Sequence, residues 1–404
     1  MLDSIQTGRI GTVVGTGEPG HSGDGCPAVA ACLNEPKNIA FDLAGNLYIA
    51  DSENHLIRKV DCGSGHITTV AGRCSEAEPE PANQTSAERP LAEPPEEDPL
   101  ADPDQSPVRS YTQTPDISGM VRYIAGSKAE ASQFSGDGGP AVRARLNFPS
   151  AMALGQDGVL FIADTWNHRI RRVDPITGTI STIAGTGQAK FSGDGGPAAS
   201  AALNEPVALV LNNQGHLYIA DQSNNRIRMI DLTTGVITTV AGNGESDYTG
   251  DGMAAVEAGL SGPSGLALDG EGNLYVSDTF NGRIRKIGSG AGSIETVLGD
   301  GREFRYQPGV NESSLSLSRP YGMTLDRDGH VLITDSDNHL IRKWDKDKET
   351  MTLVAGNGMA QFGGDGGPPE KSSLNFPFGV AVSPQGQIYI ADTFNHRIRM
   401  IASS

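Results

Sequence analysis

The chain has 404 residues, of which 52 are Gly and 24 are Pro, and its formal net charge is −18. This acidic balance opposes non-specific binding to nucleic acid and to anionic membranes. No apolar run approaches the roughly 18–20 residues that cross a bilayer, so we expect a soluble protein without membrane insertion. Residues 1–17 lack the pattern of a signal peptide. We therefore expect either a cytosolic protein or a fragment without its leader, and the sequence does not decide the compartment.

Six copies of one stretch, here called the box, recur along the chain, and the best copy is GQIYIADTFNHRIRMI at Gly386 to Ile401. The last five copies are 57 residues apart, whereas the first gap is 113. Self-similarity at a fixed period indicates one stacked or closed array, so we expect a single domain over residues 1–404. Every box holds an Asp and, seven residues later, an Arg: Asp51 and Arg58, Asp164 and Arg171, Asp221 and Arg228, Asp278 and Arg285, Asp335 and Arg342, Asp392 and Arg399.

Each repeat is predicted to form four short strands. In the second copy they span residues 151–154, 159–163, 169–173 and 179–184, with turn-forming Gly, Asp, Asn and Pro between them. Strands of about five residues separated by turns, without helical periodicity, indicate an all-β fold.

The two ends of the chain complete each other. Residues 9–15 match the fourth strand of a repeat but have no first three strands before them, and the last repeat stops after its third strand at Ile401. A ring in which the N-terminal strand completes the last blade would protect the sheet edges. The sequence therefore predicts a six-bladed β-propeller of four-stranded antiparallel blades, closed by pairing of residues 10–14 with residues 397–401.

The extra 56 residues of the first repeat follow a strand-like run at 66–71. Residues 75–118 are rich in Pro and acidic residues, with Tyr111 as the one aromatic, so we expect a disordered insertion. A second strand-like run follows at 120–125, and the sequence does not decide which run is the outer strand of the first blade. An eroded seventh blade is a second interpretation, although nothing in the insertion resembles the first three strands of a repeat.

The motif Asp-x-x-Asn-His-Arg-Ile-Arg resembles the signature of the NHL repeat family, and Asn54-His55-Leu56 spells its name. The preceding Ser-Gly-Asp-Gly-Gly-Pro-Ala loops, as at residues 192–198, are similar to those of bacterial, teneurin-like and thioredoxin-linked members. The resemblance covers everything outside the insertion and implies a six-bladed β-propeller. The chain resembles the RNA-binding members less, because those members carry a basic face, so no nucleic-acid partner is expected.

The repeated charges and histidines have structural interpretations. The Asp and Arg of a box could meet as a charge-assisted pair, and a site around an axis seldom needs identical chemistry six times, so we interpret them as a structural clamp. Box histidines on separate blades cannot converge within the about 2.0–2.3 Å that a zinc ion requires. The Asp of each Gly-rich loop is expected to cap its own turn, with calcium binding as the alternative. No metal and no cofactor is expected.

Four cysteines, Cys26, Cys32, Cys62 and Cys74, lie in or beside the first repeat. None has Cys-x-x-Cys spacing, so zinc is not expected. The sequence leaves three states open: Cys26–Cys32 with Cys62–Cys74, a bond from Cys26 or Cys32 to Cys74, or free thiols.

Binding residues are expected where the copies differ. The loops that enter the first strands and the hairpins between second and third strands emerge on one side of a propeller, here called the loop face. Its aromatic and charged side chains are candidates for partner contact, with packing of the rings between blades as the alternative. The candidates are Lys37, Trp166, Phe280, Tyr321, Phe378 and Phe394. The fifth loop, residues 300–318, lacks the Gly-Asp-Gly pattern and adds Arg302, Phe304, Arg305 and Tyr306.

These observations favour a non-catalytic binding or scaffold protein, a monomeric propeller that recognises a protein, peptide or glycan on the loop face. The alternative is a metal-dependent enzyme, because the amidating lyases and lactonases that the fold resembles hold an ion at the central tunnel. Of the residues expected nearest the axis, most are small, Lys37 is cationic, and Asn38 is the plausible ligand.

Overall fold

The computed structural model describes residues 5–73, 134–289, 292–302, 305–310 and 313–403. The predicted insertion at 75–118, the strand-like run at 120–125, Cys74 and Phe304 lie outside these residues.

Twenty-four short strands of the described chain form six four-stranded antiparallel sheets, the blades. Blade 1 holds β2 (Pro36–Phe41), β3 (Leu47–Asp51), β4 (Leu56–Val60) and β5 (Ile67–Ala71), and blade 2 holds β6 (Pro149–Leu154), β7 (Leu160–Asp164), β8 (Arg169–Val173) and β9 (Ile180–Ala184). Blade 3 holds β10 (Pro206–Leu211), β11 (His216–Asp221), β12 (Arg226–Asp231) and β13 (Val236–Ala241), and blade 4 holds β14 (Pro263–Leu268), β15 (Leu274–Asp278), β16 (Arg283–Ile287) and β17 (Ile294–Leu298). Blade 5 holds β18 (Pro320–Leu325), β19 (Val331–Asp335), β20 (Leu340–Asp345) and β21 (Thr350–Ala355), and blade 6 holds β22 (Pro377–Val382), β23 (Ile388–Asp392), β24 (Arg397–Ile401) and β1 (Ile10–Val14).

The predicted ring closure is confirmed. Strand β1 pairs antiparallel with β24, with Ile10 opposite Ile401 and Thr12 opposite Arg399. The outer strand of blade 1 is β5, because it pairs with β4 through partners such as Val60 and Ile67. Both ends of the chain therefore contribute to one sheet, as the sequence predicts.

The first strands of neighbouring blades approach closely, which explains the small residues expected near the axis. A Cβ atom added to Gly322 of β18 would lie 2.2 Å from the carbonyl oxygen of Phe378 in the next blade. The same atom on Gly265 would lie 2.3 Å from the carbonyl oxygen of Tyr321. A larger side chain at either position would push the blades apart, so the small residues permit the close packing of the ring.

The hydrophobic core lies between blades rather than inside one of them. One cluster joins Phe161 of blade 2 to Leu209, Leu217 and Ile230 of blade 3. Each blade thus buries apolar surface against its neighbours, and a separate blade would leave that surface exposed. Across the described residues, no helix is both long and apolar enough to cross a membrane.

Candidate functional site

The box forms a short turn that closes with a left-handed residue. In blade 2, β7 ends at Asp164, a single 3-10 turn spans Thr165–Asn167, and His168 follows with φ 52°. Histidine, asparagine and glycine tolerate this conformation, and they fill the position in every blade. The six residues are His55, His168, Asn225, Gly282, His339 and His396. This turn brings the box Asp and Arg side chains back toward each other.

The structure places the Asp and Arg of each box in contact, with N–O distances of 3.0 to 3.4 Å and both side chains buried. Asp51 also accepts the Asn34 backbone N–H at 2.7 Å and the Asn54 side-chain amide at 2.9 Å. Burial raises the pKa of Asp51 to about 6, and these donors and Arg58 oppose that rise. Solvent does not reach the pairs, which favours a clamp over a ligand-binding ring.

The loop Asp residues have a role that the sequence analysis missed. In five blades the box Arg contacts a second carboxylate, from the Gly-rich loop that precedes the blade, at 2.6 to 2.8 Å. These residues are Asp24, Asp137, Asp194, Asp251 and Asp365. In blade 3, Asp194 also accepts the Thr239 hydroxyl of the outer strand at 2.6 Å. The loop Asp therefore joins the loop to the next blade instead of capping its own turn.

The same loops cover the outer edges of the blades. In blade 3, Gly195 N–H donates to the Ile237 carbonyl at 2.8 Å, and Ile237 N–H donates to the Gly196 carbonyl at 3.1 Å. Equivalent backbone bonds cover the outer strands β5, β9, β17 and β1. An outer strand otherwise presents unpaired backbone groups on which other chains can assemble. We call these five segments the edge-sealing loops.

The box histidines connect neighbouring blades. The Nδ1 atom of His168 accepts the Glu205 backbone N–H at 3.1 Å, and His339 accepts the Phe376 N–H in the same way at 3.1 Å. His55, His396 and the Asn225 side chain accept equivalent N–H groups at 3.0 to 3.2 Å. The bond requires an unprotonated Nδ1, and burial lowers the pKa of His168 and, to about 4, that of His339. These contacts support a structural role for the box histidines.

Blade 5 departs from this pattern, although the fifth loop is as long as the loops before blades 1, 3, 4 and 6. Arg342 donates to the carbonyl oxygens of Ser316, at 2.7 Å, and of Ser314, where the other blades supply the loop Asp. Leu353 of β21 replaces the Thr that the other outer strands carry at this position. The residues Tyr306, Pro308, Ser313, Met351, Thr352, Leu353, Asn357, Glu370 and Lys371 line a cavity of about 660 Å³ beside β21.

Several predicted binding residues are accessible. Phe280 is 51% exposed, and the Arg302 side chain is 86% exposed and lies 3.7 Å from the Asp300 carboxylate. Arg305 is exposed, and Tyr306 is half-buried at the 660 Å³ cavity. The half-buried rings of Trp166 and Phe394 pack on other rings of the loop face: Trp166 stacks on Phe148 at 4.2 Å, and Phe394 meets Phe376 at 5.3 Å.

Three other candidates differ from the prediction because they are buried. Lys37, Tyr321 and Phe378 are 4%, 9% and 3% exposed, since each follows the first Pro of an inner strand and points into the crowded centre. The Lys37 ammonium lies 4.2 Å from the Phe378 ring centroid and 3.4 Å from Glu35. Burial lowers the pKa of Lys37, and Glu35 opposes this. For these residues, packing between blades describes the structure better than an accessible binding surface.

Potential metal donors do not converge at the axis in the described part of the chain. There, the one group of three donors close enough for a single ion is His330, Asp345 and Asp347, at turns of blade 5. Asp345 already pairs with Lys348 at 2.8 Å. Cys26, Cys32 and Cys62 are free thiols, so the Cys26–Cys32 bond that the sequence left open is not formed.

The repeated boxes and the ring of six blades define an NHL-type six-bladed β-propeller, and the similarity of the chain to known protein families agrees with this. A family model for the teneurin NHL domain matches residues 7–89, and one for the SMP-30/Gluconolactonase/LRE-like region matches residues 148–404. The second match covers well over half of the sequence, and the chain belongs to the SMP-30/gluconolactonase/LRE-like family.

Individual proteins resemble the chain in sequence or in fold. The chain is 29% identical over 284 residues to the chloroplastic protein SUPPRESSOR OF QUENCHING 1 of Arabidopsis thaliana, which covers 66% of this chain and 26% of that protein. It is 28% identical over 286 residues to NHL repeat-containing protein 2 of Bos taurus, covering 63% and 39%. A solved protein of unknown function from Bacteroides thetaiotaomicron shares the fold with a TM-score of 0.61, 17% identity and coverage of 97% and 75%. The chain thus spans less than half the length of both curated relatives.

Proposed function

We propose that this protein is a non-catalytic binding propeller that recognises an extended peptide segment of a partner protein beside β21. One observation carries the proposal: five outer strands are covered by edge-sealing loops, whereas the fifth loop leaves a cavity at the edge of blade 5. Extended peptides commonly bind by adding a strand to such an edge.

The register of blade 5 supports this mode of binding. Met351 lies opposite Trp344, as Ile237 lies opposite Ile230 in blade 3. In blade 3, Ile237 directs its N–H and C=O groups outward to the edge-sealing loop. Met351 has the same position in its strand, and within the described residues no backbone bond to its outward groups is formed. A peptide strand could supply these two bonds.

The side chains around the cavity would add specificity. Tyr306, Pro308 and Leu353 offer aromatic and apolar contacts, and Glu370 and Lys371 place one charge of each sign beside them. Where other blades seal this edge, the covering residues are mostly glycines, which permit close backbone approach. We therefore expect a peptide with small residues at the strand-pairing positions and apolar residues beside them.

A graft provides the sharpest test, because the fifth loop and the loop before blade 3 are equally long. Residues 300–318 would be replaced by the sequence of residues 186–204, together with Leu353→Thr, which restores the partner of the loop Asp. Wild type and the sealed variant would each be used to select binders from a displayed library of random peptides. Selected peptides are expected to bind the sealed variant about tenfold more weakly or worse.

Equal binding to both proteins, or no enrichment by the wild type, would overturn the proposal. If the graft does not fold, Tyr306→Ser is the second variant, and it must weaken the same peptides. A glycan array probed with both proteins addresses the other partner class: glycan binding by both, without peptide binding, would move the site elsewhere on the propeller.

A metal-dependent enzyme is the second candidate, and the match to the SMP-30/Gluconolactonase/LRE-like family model favours it. An ion at the central tunnel would need oxygen or nitrogen ligands from several inner strands. At the second residue after the Pro that begins each inner strand, blade 1 holds Asn38 and the other blades hold only Ala or Gly. Elemental analysis of wild type and Asn38→Ala tests this function: a stoichiometric zinc or calcium ion that the variant loses would support it.

A further inference from the structure

A polar seal closes one end of the sheet in blades 1 and 4, opposite the loop face. In blade 1, Asp42 accepts the Asn46 backbone N–H at 2.8 Å and its side-chain amide at 2.7 Å. The Asn46 side-chain oxygen accepts the Cys62 backbone N–H at 3.0 Å, and Tyr48 faces the Asp42 carboxylate. The corresponding residues of blade 4 are Asp269, Asn273 and Tyr275. The three side chains tie the turn between the first two strands to the turn between the last two.

Blade 2 lacks all three polar groups of this seal. Gly155 replaces the Asp, Val159 replaces the Asn, and Phe161 replaces the Tyr. A cavity of about 750 Å³ lies at this end, between blades 2 and 3. Its apolar lining includes Val159, Phe161, Ile183, Leu211, Ile230 and Leu232. Val159 and Phe161 are themselves buried, so this cavity, here called the pit, is a formed feature of the contact between blades 2 and 3.

One cation lies among the residues that line this pit. The Arg172 side chain is 37% exposed, and its Nη2 atom is 3.6 Å from the Asp174 carboxylate. Asp174 also accepts the backbone N–H groups of Ile176 and Thr177, each at 3.0 Å. The Asp174 carboxylate therefore keeps hydrogen-bond partners when Arg172 turns toward a ligand. Asp157 also lines the cavity and disfavours a ligand with a high negative charge.

We propose that this pit binds a small amphiphile with an apolar chain and a single carboxylate. The chain would lie against Val159, Phe161 and Leu232, and the carboxylate would pair with Arg172. The cavity volume falls within the roughly 300–1,000 Å³ typical of small-molecule sites, and an apolar wall with one polar anchor is the usual lining. The site lies away from the fifth loop, so it is independent of the peptide-binding function.

The probes are dodecanoate and dodecanol, used below micelle-forming concentrations and measured by isothermal titration calorimetry. Gly155→Asp/Val159→Asn/Phe161→Tyr introduces the three polar side chains of the seal into blade 2, where Pro175 supplies no N–H for the Asn oxygen. This triple variant is expected to weaken dodecanoate binding about tenfold or more. Arg172→Met uses the residue that blades 3 and 6 carry at this position, Met229 and Met400. It should weaken dodecanoate binding about tenfold and leave dodecanol binding unchanged. The matched control is Lys59→Met, the equivalent change in the sealed blade 1, which should alter neither.

Failure of the wild type to bind dodecanoate would overturn the proposal, as would equal binding by the triple variant. Equal effects of Arg172→Met and Lys59→Met would show a general charge effect and would also contradict it. If the triple variant does not fold, Val159→Asn alone puts a polar amide into the apolar wall of the pit and must weaken binding of both probes.

Discussion

The bond between His339 and blade 6 predicts a pH-dependent contribution to stability. The His339 pKa is lowered to about 4, mainly by burial and also by Arg305, whereas its ordinary value is 6.5. The unfolded chain therefore binds this proton more readily than the folded one. The stabilisation from neutral His339 is complete above pH 6.5 and is lost as the pH falls toward 4. At pH 5 the linkage corresponds to at most about 2 kcal/mol, and the partial exposure of the ring lowers this to about 1 kcal/mol.

His339→Asn isolates this contribution, because asparagine keeps the left-handed turn and a side-chain acceptor, as Asn225 does in blade 3. Wild type and variant should have similar urea midpoints at pH 7.5. At pH 5 the variant should gain about 1 kcal/mol relative to the wild type, or about 1 °C in Tm. Comparing the two proteins cancels the titration of Asp335, whose pKa burial raises to about 6. A difference between them that does not change with pH would refute the reasoning.

Three further changes to the protein test the clamp, the buried ion pair of Lys37 and the closure of the ring. Asp221→Asn should cost about 2 kcal/mol in urea unfolding, because Arg228 loses its buried carboxylate partner and keeps only the partly exposed Asp194. An unchanged stability with loss of a binding activity would contradict the clamp. Lys37→Met should destabilise the protein by about 2 kcal/mol, because Glu35 loses its partner, and adding Glu35→Gln should recover part of the loss in a double-mutant cycle. Deleting residues 1–15 should remove β1, expose the edge of β24 and produce aggregates in size-exclusion chromatography; a stable monomer would contradict closure by the N-terminal strand.

The sequence predicted the architecture because the repeat carries most of the required information. The six boxes give the blade count, and the unmatched strand at residues 9–15 gives the closure. The strand bounds differ by one or two residues; β6, for example, begins at Pro149 rather than 151. Proline lacks an N–H group, so it can begin a strand without leaving a ladder bond unmade.

Contacts between blades could not be predicted in the same way. Whether Lys37 faces the loop face or the axis depends on how two neighbouring sheets pack, which the local pattern does not encode. The contact between the loop Asp and the box Arg did leave a signal. Five repeats combine a loop Asp with a Thr in the outer strand, and the fifth repeat lacks the loop Asp and carries Leu353. Comparing positions across the internal repeats, rather than reading each motif alone, would have revealed this pairing.

At each proposed site, a set of interacting polar side chains that other blades carry is replaced together. At blade 5, the loss of the loop Asp accompanies the exchange of Thr for Leu353, its partner position in the other outer strands. At blade 2, Gly155, Val159 and Phe161 together replace an Asp, an Asn and a Tyr. Losing one member alone would leave a partly buried polar group without its hydrogen bond, at a cost of about 1–3 kcal/mol. Complete replacement avoids that cost and leaves an apolar or open surface, which is why we propose ligand binding at these two departures from the repeat.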